Sequence, residues 1–572
     1  MCGYIFYAGN KVKKNKVKDL LNLQKHRGPD FSKAIEEKNL LFLHNRLKII
    51  DLSNKANQPF KDKLGNIIIF NGEIYNYKKL KDDFNLQNLK TESDTEVILA
   101  LYRKIGKDFV KYLNGIFSFV IYIKKDNKIF VARDRFGVKP LFYYKNKKKL
   151  IFSTEIKPIL SLIKKKKFNY RNILRYLITG KYFDTNKTFF QNINIFPQAH
   201  SEIIDLKNNR VLYRKRYWSL KVKKKLMCNN FNEFYIKFLD KAKRSLKLNL
   251  VSNVKVAAML SSGKDSNFIY KILKENLYPN ITTFTYGWKH KNYDEIKRLN
   301  DLKHDLKNNF KMRFSIKDFL KNFEKIIYRF EGPIGGFGTL AQFKLLNFVK
   351  RKKIKVALSG EGADEFLLGY KNFEQYLKKD SQFDKDLIFS PDGKPLNDEK
   401  LFNDFRLEPI LKKATKFKNL NELVNYYAFN VKLPKLLNFL DKAGSLNGVE
   451  GRVPFLDHEL VEFIYSNNPK FRLNKKPIDK YFESKHDRYF KKKFFVNTPQ
   501  REYFKSVKVK KKIFKMIHNG ILVKKNILKF DEFKKKYNSY LKEKKPSNSF
   551  FIWKVFEVEL FFKAYIKSYN IS

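Results

Sequence analysis

Two segments of this 572-residue chain restrict its fold more than anything else in it. Lys255-Val256-Ala257-Ala258-Met259-Leu260 is a largely apolar run that breaks into Ser261-Ser262-Gly263-Lys264-Asp265-Ser266, and helical spacing follows over 267–274. Lys355-Val356-Ala357-Leu358 breaks in the same way into Ser359-Gly360-Glu361-Gly362-Ala363-Asp364-Glu365. A third run, Ile281 to Tyr286, ends in Gly287. Near-continuous apolar strands are buried on both faces. Alternating with helices, they predict a parallel, doubly wound sheet with ligands at the strand carboxyl ends. Strand, small polar loop and helix start together make an anion site. The Gly263-Lys264 pair invites a Walker A reading. That motif needs glycine at 258 and Ser or Thr at 265, and the residues there are Ala258 and Asp265.

The first 215 residues have a different texture. Short β-patterned runs recur at Asn66–Phe70, Phe117–Ile123, Ile129–Ala132 and Leu150–Ser153, separated by polar turn clusters. Helical spacing occupies Val17–Lys25 and Thr95–Lys104, the second capped by Ser93 or Asp94. The chain is too long for one core. We expect two domains, 1–215 and 216–572.

The formal net charge is +64, from 121 Lys+Arg against 57 Asp+Glu. Such charge raises the question of nucleic-acid binding, which needs a basic stripe. The lysines are instead dispersed along the chain, so we read them as solvated surface and expect no nucleic-acid partner. Cys2 and Cys228 are the two cysteines, too few for a disulfide framework or a cysteine zinc site and suited to a reducing cytoplasm. Cys228 lies among polar residues and reads as inert. No apolar run approaches the roughly 20 residues that span a bilayer, so no membrane partner is expected.

Cys2 follows Met1 directly and precedes Gly3. Initiator methionine is usually removed before a small residue, which would leave one residue carrying both a thiol and an α-amine of pKa about 8. That is the logic of N-terminal nucleophile hydrolases. Behind Cys2 come Arg27-Gly28-Pro29-Asp30, His44-Asn45-Arg46-Leu47, Asn71-Gly72-Glu73-Ile74-Tyr75-Asn76, Ser93-Asp94-Thr95-Glu96 and the longer Ala132-Arg133-Asp134-Arg135-Phe136-Gly137-Val138-Lys139-Pro140-Leu141. Each short motif has an ordinary reading; Asn-Gly, for instance, is a common tight-turn dipeptide.

In this order they resemble the glutaminase domain of class II glutamine amidotransferases, which implies an N-terminal α+β Ntn-hydrolase sandwich (αββα). The resemblance assigns Cys2 as nucleophile and Asn71 with the Gly72 N–H as oxyanion hole. Arg46 would take the glutamine α-carboxylate, Glu73 and Asp94 its ammonium, and Leu47 and Ile50 would line the pocket. His44 is read as structural.

The loop after Leu260 resembles the pyrophosphate loop of PP-loop ATP pyrophosphatases, with Ser262 in place of a glycine and Lys264 at a position more often apolar. Lys264 either contacts phosphate or points to solvent. Gly448-Val449-Glu450-Gly451-Arg452-Val453-Pro454-Phe455-Leu456-Asp457, Val496-Asn497-Thr498-Pro499 and the apolar stretch Phe550–Tyr565 extend the likeness to glutamine-hydrolysing asparagine synthetases. That family implies a C-terminal α/β doubly wound parallel sheet of the PP-loop, adenine nucleotide α-hydrolase-like kind with added helices. ATP would meet Leu260, Ser261, Gly263, Asp265, Ser266, Tyr286, Ser359 and Gly360; Mg²⁺ would meet Asp265 and Asp364. Glu361 and a lysine, best aligned at Lys493, would serve adenylate formation. The implied reaction amidates aspartate with ammonia from glutamine, through an internal tunnel. Relatives with the same chemistry act on sugars, peptides or β-lactam precursors, so the acceptor stays open. A homodimer is one expectation for the assembly.

Overall fold

The computed structural model describes residues 1–180, 182, 186–300, 306, 308–315, 323–378, 401–403, 417, 419–485, 498–543 and 549–571. Twelve strands precede residue 217: Gly3–Ala8 (β1), Phe31–Glu37 (β2), Leu40–Arg46 (β3), Phe60–Lys61 (β4), Ile67–Ile74 (β5), Gly115–Ile123 (β6), Lys128–Arg133 (β7), Phe142–Lys145 (β8), Leu150–Ser153 (β9), Asn194–Ile195 (β10), His200–Asp205 (β11) and Arg210–Arg216 (β12). They form two antiparallel six-stranded sheets, ordered β10-β8-β9-β1-β3-β2 and β12-β11-β7-β6-β5-β4.

Period-two patterning sorts the side chains. Tyr4 and Phe6 of β1, Phe42 of β3, Ile67 and Ile69 of β5, Val120 of β6 and Val131 of β7 form one buried cluster shared by both sheets. Their strand neighbours Ile5, Tyr7, Ile68, Phe70, Phe119 and Phe130 belong to a second cluster. Helices Lys14–Gln24 and Ile156–Leu162 pack on the first sheet and helix Asp94–Ile105 on the second.

The second half is built on Val256–Met259 (β13), Thr282–Trp288 (β14), Asn309–Phe314 (β15), Val356–Leu358 (β16) and Glu450–Arg452 (β17), all parallel, in the order β15-β14-β13-β16-β17. The order reverses between β13 and β16. A ligand crevice opens at such a switch point, beyond the strand carboxyl ends. The Ser261–Ser266 and Ser359–Asp364 loops leave these two strands side by side.

Most expected elements appear within a few residues of their places. Two local readings are corrected. Asn71-Gly72 does not lie past the end of a strand closing at Phe70: β5 continues through it to Ile74, paired along β6. Gly287 does not end its strand, because β14 runs on to Trp288. The closing helix extends over Phe550–Tyr569 and is buried almost all round, because helices Tyr170–Thr179, Phe323–Phe330 and Val507–His518 surround it. No described helix is long and apolar enough to cross a membrane.

Candidate active site

Cys2 sits at the entry to β1, and the β1–β3 register pairs Gly3 with Asn45, which sets Arg46 beside it. One narrow cavity is lined by Cys2, Arg46, Leu47, Ile50, Gly72, Glu73 and Asp94. Every residue expected to bind glutamine therefore lines it except Asn71, which bonds to Cys2 directly. The Cys2 N–H donates to Asn71 Oδ1 at 2.8 Å. Asn71 Nδ2 is buried and meets no acceptor among the described residues.

Gly72 has φ +145°, and a Cβ there would lie 2.0 Å from the Ile116 carbonyl oxygen. The neighbouring strand thus demands glycine at this position. Arg46 is held before any ligand arrives: its guanidinium donates to Ser53 O (2.8 Å), Asn57 Oδ1 (2.9 Å), Ile50 O (3.1 Å) and Asp51 O. His44 is buried, bonded to Phe70 O at 3.0 Å and pushed down to about 3 by burial, so it stays neutral and structural.

Glu73 and Asp94 are two buried carboxyls in one pocket. Burial raises both, and Glu450 and Asp94 add repulsion at Glu73, which lies well above the usual range. Asp94 accepts from Ile74 N at 2.9 Å yet is still pushed up to about 7. An ammonium placed between them would favour their ionised forms. The sign follows directly. Below pH about 7 the empty pocket is protonated at Asp94, and glutamine must displace that proton to gain its carboxylate. We expect the glutamine Kd of the Cys2→Ala variant to rise as pH falls from 8 to 6, by up to about tenfold per unit below the pKa. Calorimetric titration measures this without interference from the thiol; a flat profile would rule out the assigned ammonium contact.

The second cluster lies at the switch point. Ser261 Oγ and Ser266 Oγ are 3.0 Å apart, Gly263 N donates to Ser261 Oγ at 3.1 Å, and Asn267 Nδ2 clasps the carbonyls of Ser261 (2.8 Å) and Gly263 (2.9 Å). The loop is thus stitched to its own helix, Lys264–Ile272. Leu260 N bonds Phe284 O of β14 at 2.8 Å, and Tyr286 lies on the same strand. A Cβ on Gly360 would stand 3.2 Å from Asp265 Cβ, so the two strand-exit loops touch. Ser359 Oγ bonds Glu361, whose other oxygen accepts from Gln342 Nε2 at 3.0 Å; burial raises Glu361.

Sequence reasoning missed Lys475. Its Nζ lies 2.7 Å from both Asp265 Oδ2 and Asp364 Oδ1. Burial alone would lower the ammonium, but the two carboxylates outweigh it and hold it above the ordinary lysine range. Asn474 and Lys475 are consecutive left-handed residues, φ +54° and +63°, which turn the chain back toward the strand exits. Nothing in the local sequence announces a turn bearing a functional cation. Lys493 lies outside the described residues, as do Lys491 and Lys492.

Lys264 meets neither expectation, since it pairs with Asp479. Ser262 replaces its glycine without strain: its backbone is not left-handed, and Glu295 Oε2 accepts from both its N–H (3.1 Å) and its hydroxyl (2.6 Å).

Asp265 and Asp364 fit Mg²⁺ as a pair of hard oxygen donors whose remaining ligands would be phosphate oxygens and water. No group of three or more metal-ligating side chains gathers among the described residues.

The two sites are joined by buried charge. Arg27 donates from Nε to Cys2 O at 3.0 Å and grips both oxygens of Asp441 at 3.0 and 3.1 Å. Glu450, on β17, pairs with Lys139 at 2.9 Å and with Arg452 at 2.9 Å. Arg452 NH2 lies 3.8 Å from Glu73 of the cysteine pocket. Removing one partner of such a buried pair strands the other, so the halves are held in a defined relation.

A cysteine pocket for an amide substrate, wired to a parallel-sheet site with an acidic pair and a lysine, defines a glutamine amidotransferase joined to a synthetase: a glutamine-dependent ligase. Profiles for the glutamine amidotransferase domain and for asparagine synthase match residues 1–218 and 237–497. The chain is 32% identical over 402 residues to a Methanocaldococcus jannaschii protein assigned to the glutamine-hydrolysing asparagine synthetases, covering 65% of this chain and 76% of that protein. It is 31% identical over 506 residues to asparagine synthetase [glutamine-hydrolyzing] 2 of Bacillus subtilis, covering 78% and 64%. Amidase chyE of Penicillium rubens is 28% identical over 382 residues, covering 62% and 55%. The chain belongs to the glutamine-hydrolysing asparagine synthetase family.

Proposed function

We propose that this protein converts aspartate to asparagine at the expense of ATP, with ammonia drawn from glutamine. The reading rests above all on one observation: Cys2, Arg46, Gly72, Glu73 and Asp94 line a single cavity, with an unsatisfied Asn71 amide beside the nucleophile. Residues 1–215 act as an Ntn-type glutaminase and 216–572 as a PP-loop synthetase.

Once Met1 is removed, the Cys2 α-amine takes the thiol proton and Sγ attacks the glutamine side-chain carbonyl carbon. Asn71 Nδ2 and the Gly72 N–H stabilise the oxyanion. The amine hands its proton to the leaving nitrogen, ammonia departs, and water releases glutamate from the thioester. Arg46 holds the substrate carboxylate, while Glu73 and Asp94 hold its ammonium.

At the second site an aspartate carboxylate oxygen attacks the ATP α-phosphorus and pyrophosphate leaves. Loop groups of Ser261, Gly263 and Ser266 cradle the departing phosphates, and Lys475 supplies positive charge beside them. Mg²⁺, held by Asp265 and Asp364, would add charge neutralisation when bound. Ammonia then attacks the β-aspartyl-AMP carbonyl and AMP leaves. Glu361, its carboxyl raised by burial, would take the proton that the incoming nitrogen must lose.

The deciding experiment is mass spectrometry of products from glutamine, ATP, Mg²⁺ and aspartate. We expect asparagine, glutamate, AMP and pyrophosphate in equal amounts. AMP formation only with another carboxylate, on a sugar or a peptide, would retain the chemistry and replace the acceptor. Glutamate without AMP under every acceptor would overturn the synthetase reading.

A further inference from the structure

Glu361 stands on the turn that leaves β16, and its carboxylate is held at both oxygens. Ser359 Oγ bonds one, and Gln342 Nε2 donates to the other at 3.0 Å. No lysine or arginine among the described residues forms an ion pair with it; Lys475, the cation of the same crevice, is spent on Asp265 and Asp364. Burial and the charge of Asp265 both work against its ionised form. A buried carboxylate in such surroundings depends on neutral donors to stay ionised and aimed.

The two donors have different anchors. Ser359 belongs to the same turn, and its N–H donates to Arg452 O of β17 at 2.8 Å. Gln342 comes from the helix Phe337–Arg351, which packs on β14 and on the helix Leu433–Ser445. That helix is fixed: Leu340, Leu345, Leu346 and Val349 are buried, Phe337 N donates to Gln500 Oε1 at 3.2 Å, and Asn347 Nδ2 donates to Asn447 Oδ1 at 2.9 Å. Gln342 itself is half-buried and takes no part in the apolar core. Its amide nitrogen reaches across to the one carboxylate that has no cation.

We propose that Gln342 is a positioning residue, holding Glu361 where that carboxylate takes a proton from the nitrogen that attacks the acyl-adenylate. The assignment rests on the synthetase reading above. The two half-reactions differ in their need for a base. In adenylation a carboxylate oxygen attacks phosphorus and pyrophosphate leaves; the nucleophile has no proton to lose. In capture the ammonia lone pair forms the C–N bond, the C–O bond to AMP breaks with its electrons going to AMP, and an N–H proton passes to Glu361. Misdirecting Glu361 therefore slows capture and spares adenylation.

Rapid quench of a single turnover tests this on the full chain with ATP, Mg²⁺ and aspartate, at ammonium low enough that capture sets the rate. Pyrophosphate and asparagine are counted separately. Gln342→Met should release pyrophosphate within about twofold of the wild-type rate and form asparagine about tenfold more slowly. Gln342→Lys keeps a donor of similar reach and should form asparagine within about threefold of wild type. Glutamate release from glutamine reports that each variant is folded, and Gln342→Ala replaces Gln342→Met should that one lack it. Asparagine at the wild-type rate in Gln342→Met, or pyrophosphate release falling in step with asparagine, overturns the assignment; so does a Gln342→Lys variant as slow as Gln342→Met. Wild-type protein that releases pyrophosphate only with another carboxylate changes the acceptor, and the same two rates then decide the role of Gln342. Wild-type protein that releases none with any acceptor overturns the synthetase reading and this assignment with it.

Discussion

Cys2→Ala should abolish glutamine-dependent synthesis while sparing synthesis from added ammonium. The substitution removes Sγ and little else. The thiol's long contact to Leu47 O (4.0 Å) is lost, but the backbone contacts, from the Cys2 N–H to Asn71 and from Arg27 to the Cys2 carbonyl oxygen, both survive. The pocket should therefore still bind glutamine. Removing a covalent nucleophile leaves only binding and the oxyanion donors, so glutamate release should fall by at least about 10⁴-fold. Ammonium enters after the glutaminase step and does not need the thiol. Parallel assays of asparagine formation from glutamine and from ammonium decide the matter, and equal loss in both would mean that the two activities are not divided between these sites.

Lys475→Ala carries the second large effect. The lysine ammonium is the shared partner of Asp265 and Asp364, and it faces the strand exits where phosphate charge would develop. Deleting one preorganised charge at such a place costs about 10²–10³ in rate. We expect AMP formation to fall by that factor while glutamate release from glutamine is unchanged. The fold should tolerate the change, because the side chains of Asp265 and Asp364 remain 21% and 32% exposed and water can solvate them. Wild-type AMP formation in this variant would transfer the role to another cation, with Lys493 the first candidate.

Much of the site could be read before any coordinates. Arg46, Asn71, Gly72, Glu73 and Asp94 each lie in a short contiguous motif, and in the structure all but Asn71 line one cavity. Tertiary context adds constraints that the motifs by themselves do not show. Gly72 is required by the Ile116 carbonyl of a paired strand, and Asn71-Gly72 lies inside β5. Lys264 was open between phosphate and solvent because Asp479, its actual partner, comes from a helix 215 positions away.

The chain by itself determined the strand–loop–helix exits that make the parallel sheet, the alternating strands of the first half and the cysteine behind the initiator methionine. These are local properties, set by hydrophobic period and by residues within a few positions of one another. Tertiary structure alone decided that Lys475 would stand between Asp265 and Asp364, that Arg27 would tie Cys2 to Asp441, and that Arg452 would reach Glu73. Each of those meetings joins segments more than a hundred residues apart. Such meetings depend on sheet order, on the left-handed turn at Asn474-Lys475 and on how the two halves dock, none of which leaves a mark in neighbouring sequence.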